Sequence, residues 1–317
     1  MKTICIYHSR DLDGWMSAAI VKKWFLETLP KEIEGIILDK DNDQEPKTNN
    51  FLFMLGWDYG DEIPDLSSYE KVIMADVAFP KEKMLNLSKR LAAKFIWIDH
   101  HISAINDSKA IYDGNFGLRD TKFAACELTW KYFFPDEEMP EIVRLLGMYD
   151  SFRHKGMDEE QKVLEFQYGA RAYMSNYEDC FQKLNKPEHK VVGLLSELGK
   201  GIYKYLCTEA QQTYKKAFPI EFIERVNPDL ADLGGIVNQK FLCVNQCRFN
   251  PINFGIDYHK EGYDGFACFH YENEMWNFSL YNDNGEVDCS VIAKQYGGGG
   301  HQGAAGFRVD NLNKIIK

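Results

Sequence analysis

Short apolar runs alternate with longer stretches of helical periodicity through the first half of the chain. Residues 3–7, 36–38, 71–75 and 94–98 read as buried strands, each too short for a helix. Between and after them, 15–29 reads as a helix stopped by Pro30, 80–91 as one opened by Pro80, and 121–134 and 141–149 as two more, the last behind Pro140. Strands alternating with helices predict βαβ units and a mostly parallel sheet. A long helical stretch over 186–217 follows, ended by Phe218-Pro219. Beyond it, 253–258, 265–270 and 275–281 read as strands, 287–296 as a helix, and the chain then passes through Gly297 to Gly300. The pattern predicts an α/β protein with three parts. These are an N-terminal domain over 1–185, a helical connector over 186–217, and a smaller α+β domain over 218–317.

Composition narrows this picture. A chain of 317 residues, 45% hydrophobic and 27% charged, can bury ordinary globular cores, and its length favours two domains over one. The longest apolar runs, such as 51–55, fall far short of the ~18–20 residues that cross a bilayer, so no membrane is expected. The start of the chain lacks a signal-like apolar region, and the eight scattered cysteines read as reduced thiols, which points to the cytoplasm. The net charge of −11 is uneven: residues 1–185 carry 23 basic and 32 acidic side chains, and 186–317 carry 14 and 16. Such a surface disfavours long nucleic acid or long polyphosphate, whose binding rests on neutralising many phosphates. Local carboxylates suit divalent cations instead.

Candidate chemistry gathers where strands end. His8, Asp76 and the run Asp99-His100-His101 each follow a predicted strand immediately, and in open α/β sheets ligands bind beyond the carboxyl ends of the strands. His8, Asp11 and Asp13 put one imidazole and two carboxylates into a single turn; carboxylates favour Mg²⁺ or Mn²⁺, and imidazole shifts preference toward Mn²⁺, Fe²⁺, Co²⁺ or Zn²⁺. Aspartates that merely decorate a helix N-terminus are the plain alternative. Two adjacent histidines behind Asp99 favour a site, because a core cannot absorb all three. Asp76 and Asp150 taken alone are equally compatible with turns. In the second half, a glycine run followed by His301 allows close backbone approach to an anion, against the alternative of a tight turn or hinge.

Taken together, His8, Asp11, Asp13, Asp76, Asp99-His100-His101 and Asp150 resemble in order and spacing the four motifs of the DHH phosphoesterase superfamily. The run Gly297-Gly-Gly-Gly-His301-Gln-Gly-Ala-Ala-Gly306-Phe resembles the signature of the associated DHHA1 domain, so the resemblance covers residues 4 to about 309. It implies a cleft between a DHH and a DHHA1 domain and two Mn²⁺ ions, with Mg²⁺ or Co²⁺ as substitutes. One ion would be held by His8, Asp11 and Asp76, the other by Asp13, Asp76, His100 and Asp150, with Asp76 bridging. It further implies catalytic roles for His101, against the substrate phosphate, and for Asp99 behind it. Gly298, Gly299, Gly300 and His301 would bind substrate.

The chain also departs from that pattern. The gap between His8 and Asp11 is one residue shorter than in some branches, and Leu280 and Tyr281 stand where the nanoRNase branch tends to carry an arginine. Residues 186–317 hold three arginines, Arg225, Arg248 and Arg308, and Arg308 is the candidate substitute. Tyr258, Phe269, Tyr271, Trp276 and Tyr281 read as core at strand spacing, with base stacking as the lesser alternative. The expected function is Mn²⁺-dependent hydrolysis of small phosphoesters, short oligonucleotides or pAp-like nucleotides. The alternatives are an exopolyphosphatase-like hydrolase or a catalytically silent nucleotide-binding regulator. The expected partner is the nucleotide substrate, and a homodimer is left open.

Overall fold

A computed structural model describes residues 1–29, 36–40, 50–108, 111, 117–225, 236–300 and 302–316, without the side chains of 223–225 and 236–237. They form two compact units, Met1–Ile202 and Tyr203–Lys317.

The first unit is built on a five-stranded sheet in the order β2-β3-β1-β4-β5, parallel throughout: β1 is Lys2–His8, β2 Ile36–Leu38, β3 Phe51–Trp57, β4 Lys71–Ala75 and β5 Phe95–Ile98. Its strands are apolar on both faces because both faces are covered. In β1, Ile4 and Ile6 enter one core with Val72, Met74 and Trp97, while Cys5 and Tyr7 enter another with α1 (Leu12–Thr28), α4 (Ala125–Phe133) and α5 (Glu141–Asp150). Each fully buried side chain of this size contributes about 1.5–3 kcal/mol of transfer free energy. Helices α2 (Lys81–Leu91), α3 (Ile102–Asp107), α6 (Glu160–Tyr173) and α7 (Tyr177–Leu184) complete the unit. The strand β3 had been visible in the sequence only as an apolar run, and α6 and α7 had no counterpart among the predicted elements.

Chain order matters more than strand count. After β1 the chain crosses to the sheet edge for β2 and comes back inward to β3 beside β1, then lays β4 and β5 outward on the other side. The switch falls between β1 and β4, where Tyr7 pairs with Ala75, and Ala75 in turn pairs with Ile98 of β5. His8, Asp76 and Asp99 are the next residues on three adjacent strands, so they leave one sheet edge side by side.

Helix α8 (Glu188–Tyr214) begins with Val191, Val192 and Leu195 in the first unit's core and ends with Ala210 and Tyr214 in a core of the second. The second unit holds a six-stranded sheet in the order β10-β11-β9-β8-β7-β6, antiparallel except for the β7–β8 pair. Its strands are β6 Phe218–Arg225, β7 Ile236–Asn245, β8 Gly265–Glu272, β9 Met275–Tyr281, β10 Gly299–Gly300 and β11 Ala304–Val309, with α9 at Cys289–Gln295. Alternate residues of β8 serve opposite faces: Ala267 and Phe269 pack with α9, and Phe266 and Cys268 pack with Tyr258. Residues 253–258, expected as a strand, instead form two 3₁₀ turns, Pro251–Phe254 and Tyr258–Glu261. Apolar side chains at every second position suggested a pleat, but Gly255 adopts φ 73° and closes the first turn, a conformation that interrupts any strand.

Candidate active site

The turn after β1 carries the first group of donors. Asp11 is the N-cap of α1, its Oδ1 accepting from the Gly14 N–H at 3.0 Å. Gly14 is required by packing: a Cβ there would lie 2.1 Å from the His8 carbonyl oxygen. This contact folds the turn tightly enough to bring His8 Nδ1 to 2.8 Å from Asp11 Oδ2 and 3.6 Å from Asp76 Oδ2.

Asp13, on the first turn of α1, is 3% exposed and points across to α4. Its two oxygens accept from the backbone N–H groups of Ala125 at 2.9 Å and Cys126 at 2.7 Å, the open donors at the α4 N-terminus. From β4, Asp76 is 1% exposed and holds φ 64°, a left-handed backbone that a non-glycine residue adopts at a cost of roughly 1–3 kcal/mol. Its two oxygens face two histidines: Oδ2 faces His8, and Oδ1 lies 3.3 Å from His100 Nε2. His100 Nε2 is also 3.6 Å from Asp13 Oδ2 and 3.5 Å from Asp150 Oδ2, at the C-terminal end of α5. Three sets of donor atoms thus converge within 4.8 Å: His8, Asp11 and Asp76; Asp13, His100 and Asp150; and Asp76, His100 and His101.

Asp99 plays a different part. Fully buried, it accepts through Oδ1 from the backbone N–H groups of His100 (2.7 Å) and His101 (3.0 Å) and contacts His101 Nδ1 at 2.8 Å, while Oδ2 accepts from Trp97 Nε1 at 3.2 Å. The carboxylate therefore shapes the His100–His101 turn and fixes the tautomer of His101 with Nδ1–H toward Asp99. His101 Nδ1 is 3.8 Å from Asp76, a full ångström farther than from Asp99.

The electrostatics explain what this arrangement lacks. Burial alone would lower the two imidazoles, yet Asp11 and Asp76 raise His8 to about 11, and Asp76, Asp13 and Asp150 raise His100 to about 10. Burial would raise Asp76, but His100 and His8 hold it below the usual carboxylate range. Burial, followed by the neighbouring charges of Asp76 and Asp150, pushes Asp13 up, and burial pushes Asp150 up to about 6. His8 Nδ1 and Asp76 Oδ1 are buried without an aligned hydrogen-bond partner, although Asp11 Oδ2 lies 2.8 Å from the first and His100 Nε2 3.3 Å from the second. Four carboxylates and two imidazoles converging in this way fit two divalent cations that accept both oxygen and nitrogen donors. Divalent charge would take the place of the protons that now hold the cluster together.

Some neighbours of the site were not anticipated. Asp58 Oδ1 lies 3.3 Å from His8 Nε2, and its Oδ2 pairs with Arg10 Nε at 2.7 Å. Asp58 follows β3 as Asp76 follows β4, so the signal was present in an apolar run not read as a strand. Tyr59, next along, brings its ring centroid to 6.4 Å from that of His8.

In the second unit, Gly298 closes α9 by donating its N–H to the Ala293 carbonyl at 2.9 Å, and Gly299 and Gly300 pair with Gly306 and Ala305 as a short edge strand. Arg308 is exposed on β11 opposite Asn277, between the buried Phe307 and Val309. His301 lies outside the described residues. Leu280 is fully buried in the core. Tyr258 and Phe269 are core residues as well, whereas Tyr271 is 58% exposed.

Fold and site together define an α/β protein whose sheet switch point carries a buried aspartate–histidine centre. Residues 3–148 match the DHH family, N-terminal domain. This match spans less than half of the chain and makes its first unit similar to the DHH family over the segment that carries His8, Asp11, Asp13, Asp76 and His100. An uncharacterized protein of Acanthamoeba polyphaga mimivirus is 25% identical over 328 residues, covering 99% of this chain and 69% of its own. Among solved structures, a pGpG-specific phosphodiesterase from Vibrio cholerae is similar with a TM-score of 0.49 and 11% identity, covering 98% of this chain and 93% of that one. An exopolyphosphatase-related protein from Bacteroides fragilis is similar with a TM-score of 0.45 and 16% identity, covering 98% and 87%. Among the described residues no helix is long and apolar enough to cross a membrane.

Proposed function

We propose that the protein is a Mn²⁺-dependent phosphohydrolase of small phosphoesters, short oligonucleotides or nucleotides such as pAp. The observation that carries this reading is Asp76, a buried carboxylate whose two oxygens face donor sets on opposite sides. His8, Asp11 and Asp76 would hold one cation, and Asp13, Asp76, His100 and Asp150 the other. A pair of bound divalent cations supplies an activated water and neutralises charge on the attacking and leaving oxygens.

The chain's own residues do the rest. Burial would lower the His101 imidazole, but Asp99 and Asp76 hold it above its usual range, so with Nδ1–H on Asp99 the protonated ring would present Nε2–H to the phosphate and donate as charge develops. Asp13, fixed by two helix N–H groups, keeps its carboxylate from rotating when substrate charge arrives. Arg10, exposed and paired to Asp58 beside His8, would offer a cation to the remaining phosphate oxygens.

The test is hydrolysis by the purified wild type and Asp76→Asn. The substrates are pAp, a cyclic dinucleotide, RNA of two to five nucleotides, long single-stranded DNA and polyphosphate, each with Mn²⁺. Turnover of the short nucleotides by the wild type alone supports the proposal. Preference for polyphosphate replaces it with phosphoanhydride hydrolysis, and nucleotide binding without any turnover replaces it with a regulatory role.

A further inference from the structure

A cleft of about 500 Å³ opens beside His101, within the size range of small-ligand sites. Its floor is Trp57 and Phe79, both buried and packed edge to face at 5.0 Å, and its walls include Ala78, Pro80 and Ala104. Tyr59 forms the rim. It is 54% exposed, and its ring packs edge to face on Trp57 at 5.5 Å, so a large aromatic face is backed by the floor of the cleft. The turn that carries it is closed by Asp58 N–H donating to Asp61 Oδ2 at 2.9 Å and Asp61 N–H donating to the Asp58 carbonyl at 3.0 Å. Among the lining residues, Lys81 is basic and Asp61 and Asp107 are acidic.

These features select an occupant. The cleft shares His101 with the aspartate–histidine centre, and Tyr59 also abuts His8, so a phosphate engaged at that centre has its ester substituent directed toward an apolar, aromatic space. A run of phosphates would meet Asp61 and Asp107 with one lysine, Lys81, to offset them. A nucleobase with its sugar is uncharged, offers a π-face to Tyr59 and fits the volume. We infer that this cleft is a nucleoside subsite, with Tyr59 as the residue that makes the enzyme select a nucleoside phosphate over phosphate alone. The inference rests on the phosphohydrolase reading and assigns its substrate class.

The test is calorimetric binding of AMP, ribose 5-phosphate and inorganic phosphate to Mn²⁺-loaded wild type, Tyr59→Ala, Tyr59→Phe and Ser103→Trp. Tyr59 and Ser103 are both exposed, so neither change disturbs a core, and the tryptophan at 103 fills the cleft. The wild type is expected to bind AMP at least ~10-fold more tightly than ribose 5-phosphate, within the range of base–aromatic stacking. Tyr59→Ala and Ser103→Trp should erase that preference without weakening phosphate, and Tyr59→Phe should keep it. Equal affinity for AMP and ribose 5-phosphate in the wild type, or a preference that survives both Tyr59→Ala and Ser103→Trp, would overturn the inference. Binding and turnover separate the two readings. Base-dependent binding with no hydrolysis of pAp sinks the phosphohydrolase and leaves the subsite standing, and hydrolysis without base preference does the reverse.

Discussion

Asp13→Asn and Asp150→Asn remove the same charge from the same centre, yet they should change stability in opposite directions when no metal is present. Both oxygens of Asp13 accept backbone N–H groups of α4, at 2.9 and 2.7 Å, in a site that is 3% exposed. An asparagine amide has one oxygen, so one N–H of α4 would face an N–H₂ instead. The loss combines a hydrogen bond to a charged group, about 1.5–3 kcal/mol, with a stranded buried donor, about 1–3 kcal/mol. Relief of repulsion with Asp76 and Asp150 offsets part of this, leaving roughly 2–4 kcal/mol of destabilisation. For a unit of this size each kcal/mol moves Tm by about 2–4 °C, so the fall should be roughly 4–16 °C. Asp150 stands at the C-terminal end of α5, where the helix dipole disfavours an anion by about 0.3–1 kcal/mol, and Asp150→Asn should be neutral or stabilising by a similar amount. The assay is thermal unfolding of chelator-treated proteins followed by circular dichroism at pH 7. Equal destabilisation by the two variants would refute the argument that α4 anchors Asp13.

Other expectations follow from the same geometry. Asp99→Asn should lower kcat/KM by about 10–100-fold while Mn²⁺ content stays at the wild-type level, because Asp99 orients His101 rather than an ion; loss of metal in that variant would show otherwise. Asp150 titrates near 6 in the folded, metal-free protein, above its ordinary value. Its folded state therefore binds more protons, and wild-type stability should fall as pH rises from about 4 to about 6. The gap between Asp150→Asn and the wild type should widen over that window and then level off, which urea titrations at several pH values can check. His8 and His100 are raised to about 11 and about 10, so their stabilisation is complete below about 6.5 and is lost as pH climbs through those values. Metal must displace these two protons, and calorimetry in buffers of different ionisation enthalpy should record about two protons released on filling both sites. Mn²⁺ at a hundred times its Kd should stabilise the wild type by about 2.7 kcal/mol and Asp76→Asn by much less, a difference read as Tm shifts.

The site was legible in the sequence to the extent that its strands were. Strands β1, β4 and β5 are continuous apolar runs, and His8, Asp76 and Asp99-His100-His101 stand at their ends, so the sheet edge could be assembled without coordinates. Asp58 has the same relation to β3 but escaped because Phe51–Trp57 had not been read as a strand. The hold of α4 on Asp13 joins residues more than a hundred positions apart, and no local pattern reports it. In the second unit, Phe254, Ile256 and Tyr258 imitate a pleat that Gly255 breaks, and β6 and β7 were not anticipated. A glycine run that suggested anion binding also has structural work to do, closing α9 and pairing along β11.

The central claim, two cations joined by Asp76 acting on a small nucleotide, is tested most directly by dinucleotide hydrolysis measured against equivalents of Mn²⁺ added to metal-free protein. The account predicts activity that lags at low occupancy and saturates at two equivalents. Saturation at one equivalent, or full turnover without added metal after chelation, would contradict it.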